Sequence, residues 1–120
     1  MKLSTHFTLE EAIQSQEASR HGIDNQPTPE IIAVMRHTAD SMERVRVSLS
    51  CSAIVVSSWY RSPLLNEAIN GAPHSQHCKG QAVDFIAPTF GGPIAICKWL
   101  TRPEQRSMVR FDQLILEHTW

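Results

Sequence analysis

The sequence predicts an α+β fold in which N-terminal helices pack on a small, mostly antiparallel sheet. Two strong helix starts lie before residue 30, whereas the short apolar runs that resemble strands come after residue 50. Because helices come first and strands are interspersed late, this order favours an α+β fold over an alternating, doubly wound sheet. A length of 120 residues fits one domain spanning residues 1–120.

The N-terminal half contains two predicted helices. Residues 8–11, Thr-Leu-Glu-Glu, form a capping-box pattern, and the helix that follows is expected to run to about Arg20 and stop at Gly22. A second helix is expected from Pro29 to about Arg46, because proline suits the first helical position. Its spacing produces one apolar stripe, formed by Ile31, Met35, Met42 and Val45.

The C-terminal half is predicted to alternate short elements. Runs of β-branched or alternating apolar residues predict strands, and prolines or glycines that precede apolar periodicity predict helix starts. In chain order these elements are a strand at 53–56, a helix at 63–69, a loop at 71–80, a strand at 81–86, a helix at 94–101 and a strand at 113–116.

Composition excludes several classes of protein. Eleven basic and twelve acidic residues leave a net charge of -1, which argues against nucleic acid as a partner. No apolar run is long enough to span a membrane, and the N-terminus lacks the apolar core of a secretory signal. The chain is therefore expected to be a monomer that is cytoplasmic when synthesised. Three widely spaced cysteines do not suggest a disulfide framework.

Residues 75–84, Ser-Gln-His-Cys-Lys-Gly-Gln-Ala-Val-Asp, are the most informative segment. In a strand at 81–86, Asp84 would project from a mostly apolar strand, and a buried carboxylate is costly unless it is paired or bound to a metal. His77, on a loop that turns at Gly80, is a suitable partner ligand for zinc. The spacing alone leaves two interpretations open, a metal site and a structural His-Asp contact.

The longer pattern S-x-H-x-x-G-x-A-x-D, preceded by residues 58–62 and Asn66, resembles the zinc D-Ala-D-Ala carboxypeptidase family of metallopeptidases. The likeness is to the small single-domain type of bacteria and phages, and it extends from residues 3–8 through 22–25 to 111–115. It implies a DD-peptidase/hedgehog-like metallopeptidase fold, a Zn2+ cofactor and a peptidoglycan peptide as substrate.

The resemblance also implies roles for individual residues. His77 and Asp84 stand where the family has its first two zinc ligands. Arg61 stands where the family has an arginine near the substrate, and a guanidinium there would bind a peptide carboxylate or stabilise an oxyanion. Ser75 and Gln76 precede the first ligand, and they are expected to brace the loop or to contact substrate.

The third ligand of the family is a histidine in a W-x-H arrangement, which would fall at position 122, beyond Trp120. The favoured explanation is a chain cut within its last strand, which would bind metal weakly and show little activity. His118 is the alternative ligand, because in a strand it would share a face with Trp120. Glu117 is the candidate general base, and a surface glutamate is its other interpretation.

The residues around the motif carry weaker signals. Gly80 suits close packing around a metal, and His74 is expected to be an ordinary loop residue. Cys78 has a thiolate that could bind zinc, but its position in the family pattern is variable. Trp59 and Tyr60 are expected either to line a cleft or to pack in the core.

These observations predict a zinc-dependent peptidase that hydrolyses peptide bonds of peptidoglycan stem peptides, as a D-Ala-D-Ala carboxypeptidase or an endolysin-type endopeptidase. The alternative is a non-catalytic wall-binding or structural domain with an incomplete metal site, which only the missing third ligand favours. An enzyme without a signal segment would need a lysis system or a virion to reach the cell wall. A phage origin is therefore expected.

Overall fold

A computed structural model describes residues 1–50 and 53–106 of the chain. This part contains six α-helices, one 3-10 helix and a two-stranded antiparallel sheet, which confirms the predicted α+β class. The strand predicted at 113–116 lies outside the described residues. In chain order the elements are α1 (Leu9–Ile13), α2 (Gln16–His21), α3 (Pro29–Ser48), β1 (Val55–Ser58), α4 (Pro63–Ala68), the 3-10 helix (Gln76–Lys79), β2 (Asp84–Ile86), α5 (Pro93–Leu100) and α6 (Pro103–Arg106).

The single helix predicted from residue 8 to residue 20 is wrong, because the chain forms two short helices there. The capping box is present: the Thr8 hydroxyl accepts from the Glu11 amide at 3.2 Å, and the Glu11 carboxylate accepts from the Thr8 amide at 2.8 Å. However, Gln14 is extended (ψ 130°), and the Ser15 side chain caps a new helix. Serine favours such caps because its hydroxyl satisfies a free amide of the first turn. Gly22 ends α2 in the left-handed region, as predicted.

Helix α3 provides the central wall of the hydrophobic core. It begins at the predicted proline and extends two residues beyond the predicted end. Its buried apolar face is Met35, Ala39, Met42 and Val45. Each large side chain buried in this way contributes about 1.5 to 3 kcal/mol to stability. Trp59 also belongs to this core, since it is 1% exposed and packs edge-on against Phe7 with ring centroids 6.1 Å apart.

Strand β1 keeps its predicted length but is shifted by two residues from the predicted 53–56, and β2 is shorter because it begins three residues later than expected. Residues 81–83 stay outside the ladder because the Gln81 amide donates to the Gln76 carbonyl at 3.0 Å, which closes the preceding loop on itself. The strands pair with Val56 opposite Phe85 and Ser58 opposite Asp84, with an irregularity between the two pairs. The first residue of β2 is therefore Asp84, at the end of the ladder where β1 leads into the Trp59–Tyr60 segment.

The remaining helices lie close to their predicted positions. Helices α4 and α5 match the predictions to within one residue at each end, and α5 buries Ile96 and Leu100 in the core. The loop predicted at 71–80 contains the 3-10 helix. Among the described residues, Cys78 and Cys97 are free cysteines. No helix in this part of the chain combines the length and the apolar character that a membrane span requires.

Glu43, on α3, holds the N-terminal segment against this helix through hydrogen bonds. Its carboxylate accepts hydrogen bonds from the Ser4 hydroxyl at 2.6 Å and from the His6 amide at 2.7 Å, and it lies 2.6 Å from Nδ1 of the His6 ring. Burial raises the pKa of Glu43, but the hydrogen bonds from Ser4 and His6 together outweigh burial and leave the pKa below its ordinary value. The ionised carboxylate therefore stabilises the folded state.

We expect Glu43→Gln to lower the free energy of unfolding at pH 7 by about 1.5 to 3 kcal/mol, the range for hydrogen bonds to a charged group. Because the folded pKa lies below the unfolded one, this stabilisation is complete above the unfolded pKa and is lost as pH falls through the folded pKa. Urea denaturation from pH 7 to pH 2 measures the difference, with the exposed Glu67→Gln as control. A loss that does not shrink on acidification would contradict the account.

Candidate functional site

A hydrogen bond to the backbone of Trp59, the residue that follows β1, holds the His77 imidazole in one tautomer. The residue is 9% exposed, and its Nδ1 lies 2.6 Å from the backbone carbonyl oxygen of Trp59. A carbonyl oxygen only accepts hydrogen bonds, so Nδ1 must carry the hydrogen. Nε2 of the neutral ring therefore presents a lone pair. A histidine that donates from one nitrogen to a carbonyl and keeps the other free is the usual form of a metal ligand.

Hydrogen bonds anchor the loop that carries His77 at positions before and after this residue. Ser75 begins the 3-10 helix by accepting from the His77 amide at 3.2 Å, so it braces the loop. Trp59 donates its indole N–H to the Gly80 carbonyl at 3.0 Å. The Arg61 amide donates to the His77 carbonyl at 3.2 Å. Residues 59–61 thus hold the loop at three points and orient the imidazole.

The structure places Asp84 beside His77. The distance between His77 Nε2 and Asp84 Oδ2 is 3.5 Å. This is long for a hydrogen bond. Two ligands of one tetrahedral zinc, each about 2.0 to 2.1 Å from the ion, lie about 3.4 Å apart. The separation of the two atoms is therefore compatible with two ligands of one zinc ion, and it also lies within the limit of about 4 Å for a direct ion pair.

The expectation that Asp84 is buried is wrong, since its side chain is 47% exposed. Asp84 is the first residue of β2 and forms the last pair of the ladder, opposite Ser58, where the sheet ends. An exposed carboxylate needs no neutralising partner, so burial does not explain its presence here. Its orientation towards the His77 ring, which is 11% exposed, is the informative feature.

The surroundings of His77 keep its ring neutral. Burial lowers its pKa most; the hydrogen bond to the Trp59 carbonyl raises it, the Arg61 charge lowers it and the Asp84 charge raises it. The net effect is a pKa below the ordinary value. A neutral imidazole is the form that binds a metal ion, so the ring is ready for coordination at neutral pH.

A cleft of about 500 Å3 adjoins this pair. Its volume lies in the range of sites that hold small ligands. Arg61 and Asp84 line it, together with Glu11, residues 14–17 at the α1–α2 junction and Tyr60. Tyr60 belongs to the core and also lines the cleft, whereas Trp59 belongs to the core alone and acts on the site through its hydrogen bonds. The break between α1 and α2 creates one wall of the cleft.

Arg61 presents unused hydrogen-bond donors in this cleft. Its NH1 reaches Asn66 Oδ1 at 3.4 Å, and its buried Nε has no hydrogen-bond partner within the described part of the chain. A guanidinium offers five N–H donors in a planar fork that matches a carboxylate. Because Nε is buried, the donors left for a ligand are those of the two terminal nitrogens, of which NH1 makes the one long contact with Asn66.

Other predicted site residues are less engaged or lie elsewhere. Gln76 is exposed, and its backbone, not its side chain, makes the contacts that the structure gives for it. His74 is an exposed loop residue, as expected, with a left-handed backbone (φ 62°). Glu117 and His118 lie outside the described residues. Within residues 1–50 and 53–106, no group of three potential metal ligands comes together.

The cleft is thus lined by Asp84, whose carboxylate lies beside the buried His77 imidazole, and by the Arg61 guanidinium. The family model described as Peptidase M15 matches residues 5–115. The chain therefore belongs to the peptidase M15 family, which confirms the resemblance identified from the sequence. No curated protein and no solved structure matches the chain.

Gly80 allows the ligand loop to lie against α3. A Cβ atom at this position would lie 2.5 Å from Cγ of Met35, which is fully buried. Gly80 also adopts a left-handed backbone, with φ at 75°. Gly80 was expected to allow close packing around a metal. In the structure it instead allows close packing of the loop against Met35 in the core.

We expect Gly80→Ala to lower the free energy of unfolding by about 2 to 4 kcal/mol, as the sum of left-handed strain and overpacking. Gly22→Ala is the matched control, because Gly22 has a similar φ of 63° but open space around it. That control should lose only about 1 kcal/mol. Urea denaturation measures both losses, and equal values in the two variants would contradict the packing argument.

Proposed function

We propose that the protein is a zinc-dependent peptidase that hydrolyses peptide bonds in the stem peptides of peptidoglycan. Membership of the peptidase M15 family supports a peptide substrate and a hydrolytic reaction. The observation that carries the zinc assignment is the distance of 3.5 Å between Asp84 Oδ2 and His77 Nε2, the nitrogen whose lone pair is left free by the bond to Trp59.

In this proposal His77 and Asp84 hold the metal, and the third ligand is the histidine expected at position 122, just beyond Trp120. His118 is the substitute ligand within this chain. When bound, zinc polarises the scissile carbonyl and makes water nucleophilic near neutral pH. Glu117 is the proposed general base. Its carboxylate takes a proton from the attacking water and passes it to the leaving amine.

Arg61 recognises the substrate. Stem peptides carry a carboxylate at the chain end and another on the D-glutamate residue, and either one matches the open guanidinium fork. Binding the terminal carboxylate would direct cleavage to the last peptide bond, as in a carboxypeptidase. Binding the internal one would direct cleavage within the stem, as in an endopeptidase. Ser75 fixes the backbone of His77 during the reaction, and the exposed side chain of Gln76 contacts the peptide.

Digestion of purified sacculi tests the proposal. The zinc-loaded chain should release soluble peptides, chelation should stop their release, and Asp84→Asn should release none. Mass spectrometry of the products identifies the bond: loss of terminal D-alanine indicates a carboxypeptidase, and shortened stems indicate an endopeptidase. Sedimentation of the protein with sacculi without any release would instead support the wall-binding alternative. Neither release nor binding would contradict both functions.

A further inference from the structure

We propose that Asn25 is a positioning residue that sets the place of Arg61 in the cleft and the spacing between the cleft walls. The inference rests on the proposed role of Arg61 in substrate binding. Asn25 lies between α2 and α3, outside the motif of residues 75–84, and is only 8% exposed. Its side chain bonds solely to backbone groups, which lie in two separate parts of the chain.

The side-chain amide of Asn25 forms hydrogen bonds with the backbone on both sides of Arg61. Its Oδ1 accepts from the Ser62 amide at 2.7 Å, and its Nδ2 donates to the Tyr60 carbonyl at 3.1 Å. Tyr60 and Ser62 are the two chain neighbours of Arg61. One side chain therefore fixes the backbone immediately before and after the arginine. A buried asparagine with its acceptor and both donor hydrogens engaged has little freedom to shift.

The second donor bond of Asn25 reaches the opposite wall. Nδ2 also donates to the Ile13 carbonyl at 2.9 Å, and Ile13 is the last residue of α1. The next residues, 14–17, line the cleft. Asn25 thus links this wall to the segment that carries Arg61. A separate bond from the Tyr60 amide to the Ala12 carbonyl, 3.0 Å long, also joins the walls, so the fold does not depend on Asn25 alone.

Because few contacts restrain the Arg61 guanidinium, its position depends strongly on how the Arg61 backbone is held. The 3.4 Å contact with Asn66 is a weak restraint on the guanidinium, and the Nε atom has no partner among the described residues. Recognition of a carboxylate by two parallel bonds requires a fixed fork. A displacement of about 1 Å in such a site can reduce the reaction about 100-fold. A backbone anchor on both sides of Arg61 supplies this fixation.

Two substitutions of Asn25 distinguish the loss of its role in positioning Arg61 from the loss of a buried side chain alone. Asn25→Ala removes all three bonds, whereas Asn25→Asp keeps the volume and the acceptor to Ser62 but removes both donors. Ser48→Ala is the matched control. Ser48 is 6% exposed, accepts from the Trp99 indole and lies at the end of α3, outside the cleft lining.

Amide hydrogen exchange, followed by NMR, tests the positioning step without a ligand. We expect exchange at the Arg61 and Ser62 amides to rise at least about tenfold in the Asn25→Ala chain, the loss of roughly one hydrogen bond. Exchange at Met35 in α3 should stay unchanged. Ser48→Ala should leave Arg61 and Ser62 unaffected. Unchanged protection of both amides in Asn25→Ala would overturn the proposal.

A double-mutant cycle tests the link to substrate. Calorimetry measures the affinity of the full chain for a soluble stem pentapeptide, with a chelator present to prevent turnover. Asn25→Ala should weaken binding about 10- to 100-fold when Arg61 is present and less than about twofold when Arg61→Ala is already in place. Equal losses in both backgrounds would overturn the proposal. If the parent chain binds no pentapeptide, the role of Arg61 fails, and the exchange result alone decides whether Asn25 positions it.

Discussion

Replacing His77 by alanine is expected to lower kcat/KM on a stem peptide by at least about 10⁴-fold, the scale seen when an essential catalytic group is removed. The structure gives the reason: the described part of the chain brings two candidate ligands together, and His77 is the one whose free Nε2 is fixed by a hydrogen bond to the Trp59 carbonyl. Zinc content, measured by elemental mass spectrometry, should fall along with activity.

His74→Ala is the matched control for this prediction. His74 lies three residues away on the same loop, but it is exposed and makes no contact with Asp84 in the described structure. Its replacement should leave zinc content and kcat/KM within about twofold of the parent values, as is usual for a surface substitution. A His77→Ala chain that keeps its zinc and its activity would contradict the assignment, whatever the control shows.

Arg61→Ala is expected to reduce kcat/KM about 10- to 100-fold while zinc content stays unchanged, because hydrogen bonds to a charged group contribute about 1.5 to 3 kcal/mol. Arg61 lines the cleft, and its only described side-chain contact is the long one with Asn66, but a guanidinium is not a metal ligand. Steady-state kinetics with a stem peptide measures the loss. It should appear in KM if Arg61 binds a substrate carboxylate, and in kcat if it stabilises the transition state.

Arg61→Lys separates charge from geometry. An ammonium keeps the positive charge but lacks the planar fork that makes two parallel bonds, so this variant should recover only part of the lost activity. Full activity in Arg61→Lys would show that charge alone suffices. Full activity in Arg61→Ala would remove the residue from substrate recognition, and loss of zinc in the alanine variant would indicate disruption of the ligand loop instead.

Local capping chemistry explains why so much of the fold was predictable. The Thr8 capping box, the proline that starts α3 and the left-handed glycine at the end of α2 each act within four residues of the chain. The break between α1 and α2 was missed because helical periodicity and the Ser15 cap compete at the same place. That competition is decided by packing against the rest of the protein, which the sequence pattern does not contain.

The identity of the site residues was predictable from the sequence, whereas the arrangement of their atoms was not. The motif identified His77 and Asp84, but a spacing of seven residues by itself favoured a structural contact between them. The tautomer that favours a metal depends on the Trp59 carbonyl, and every residue has a carbonyl, so this acceptor carries no signal in the sequence. Asn25 lies in the segment 22–25 that shares the family resemblance, but its role was not assigned, because its three partners are all backbone groups.

X-ray absorption at the zinc edge of the loaded chain tests the central claim most directly, because it reports the atoms bound to the ion. The account predicts a four-coordinate shell of nitrogen and oxygen at about 2.0 to 2.1 Å. It also predicts an imidazole contribution that is reduced or lost in His77→Ala. A sulfur ligand at about 2.3 Å would assign the ion to a cysteine such as Cys78. That result, or a chain that takes up no zinc, would contradict the site formed by His77 and Asp84.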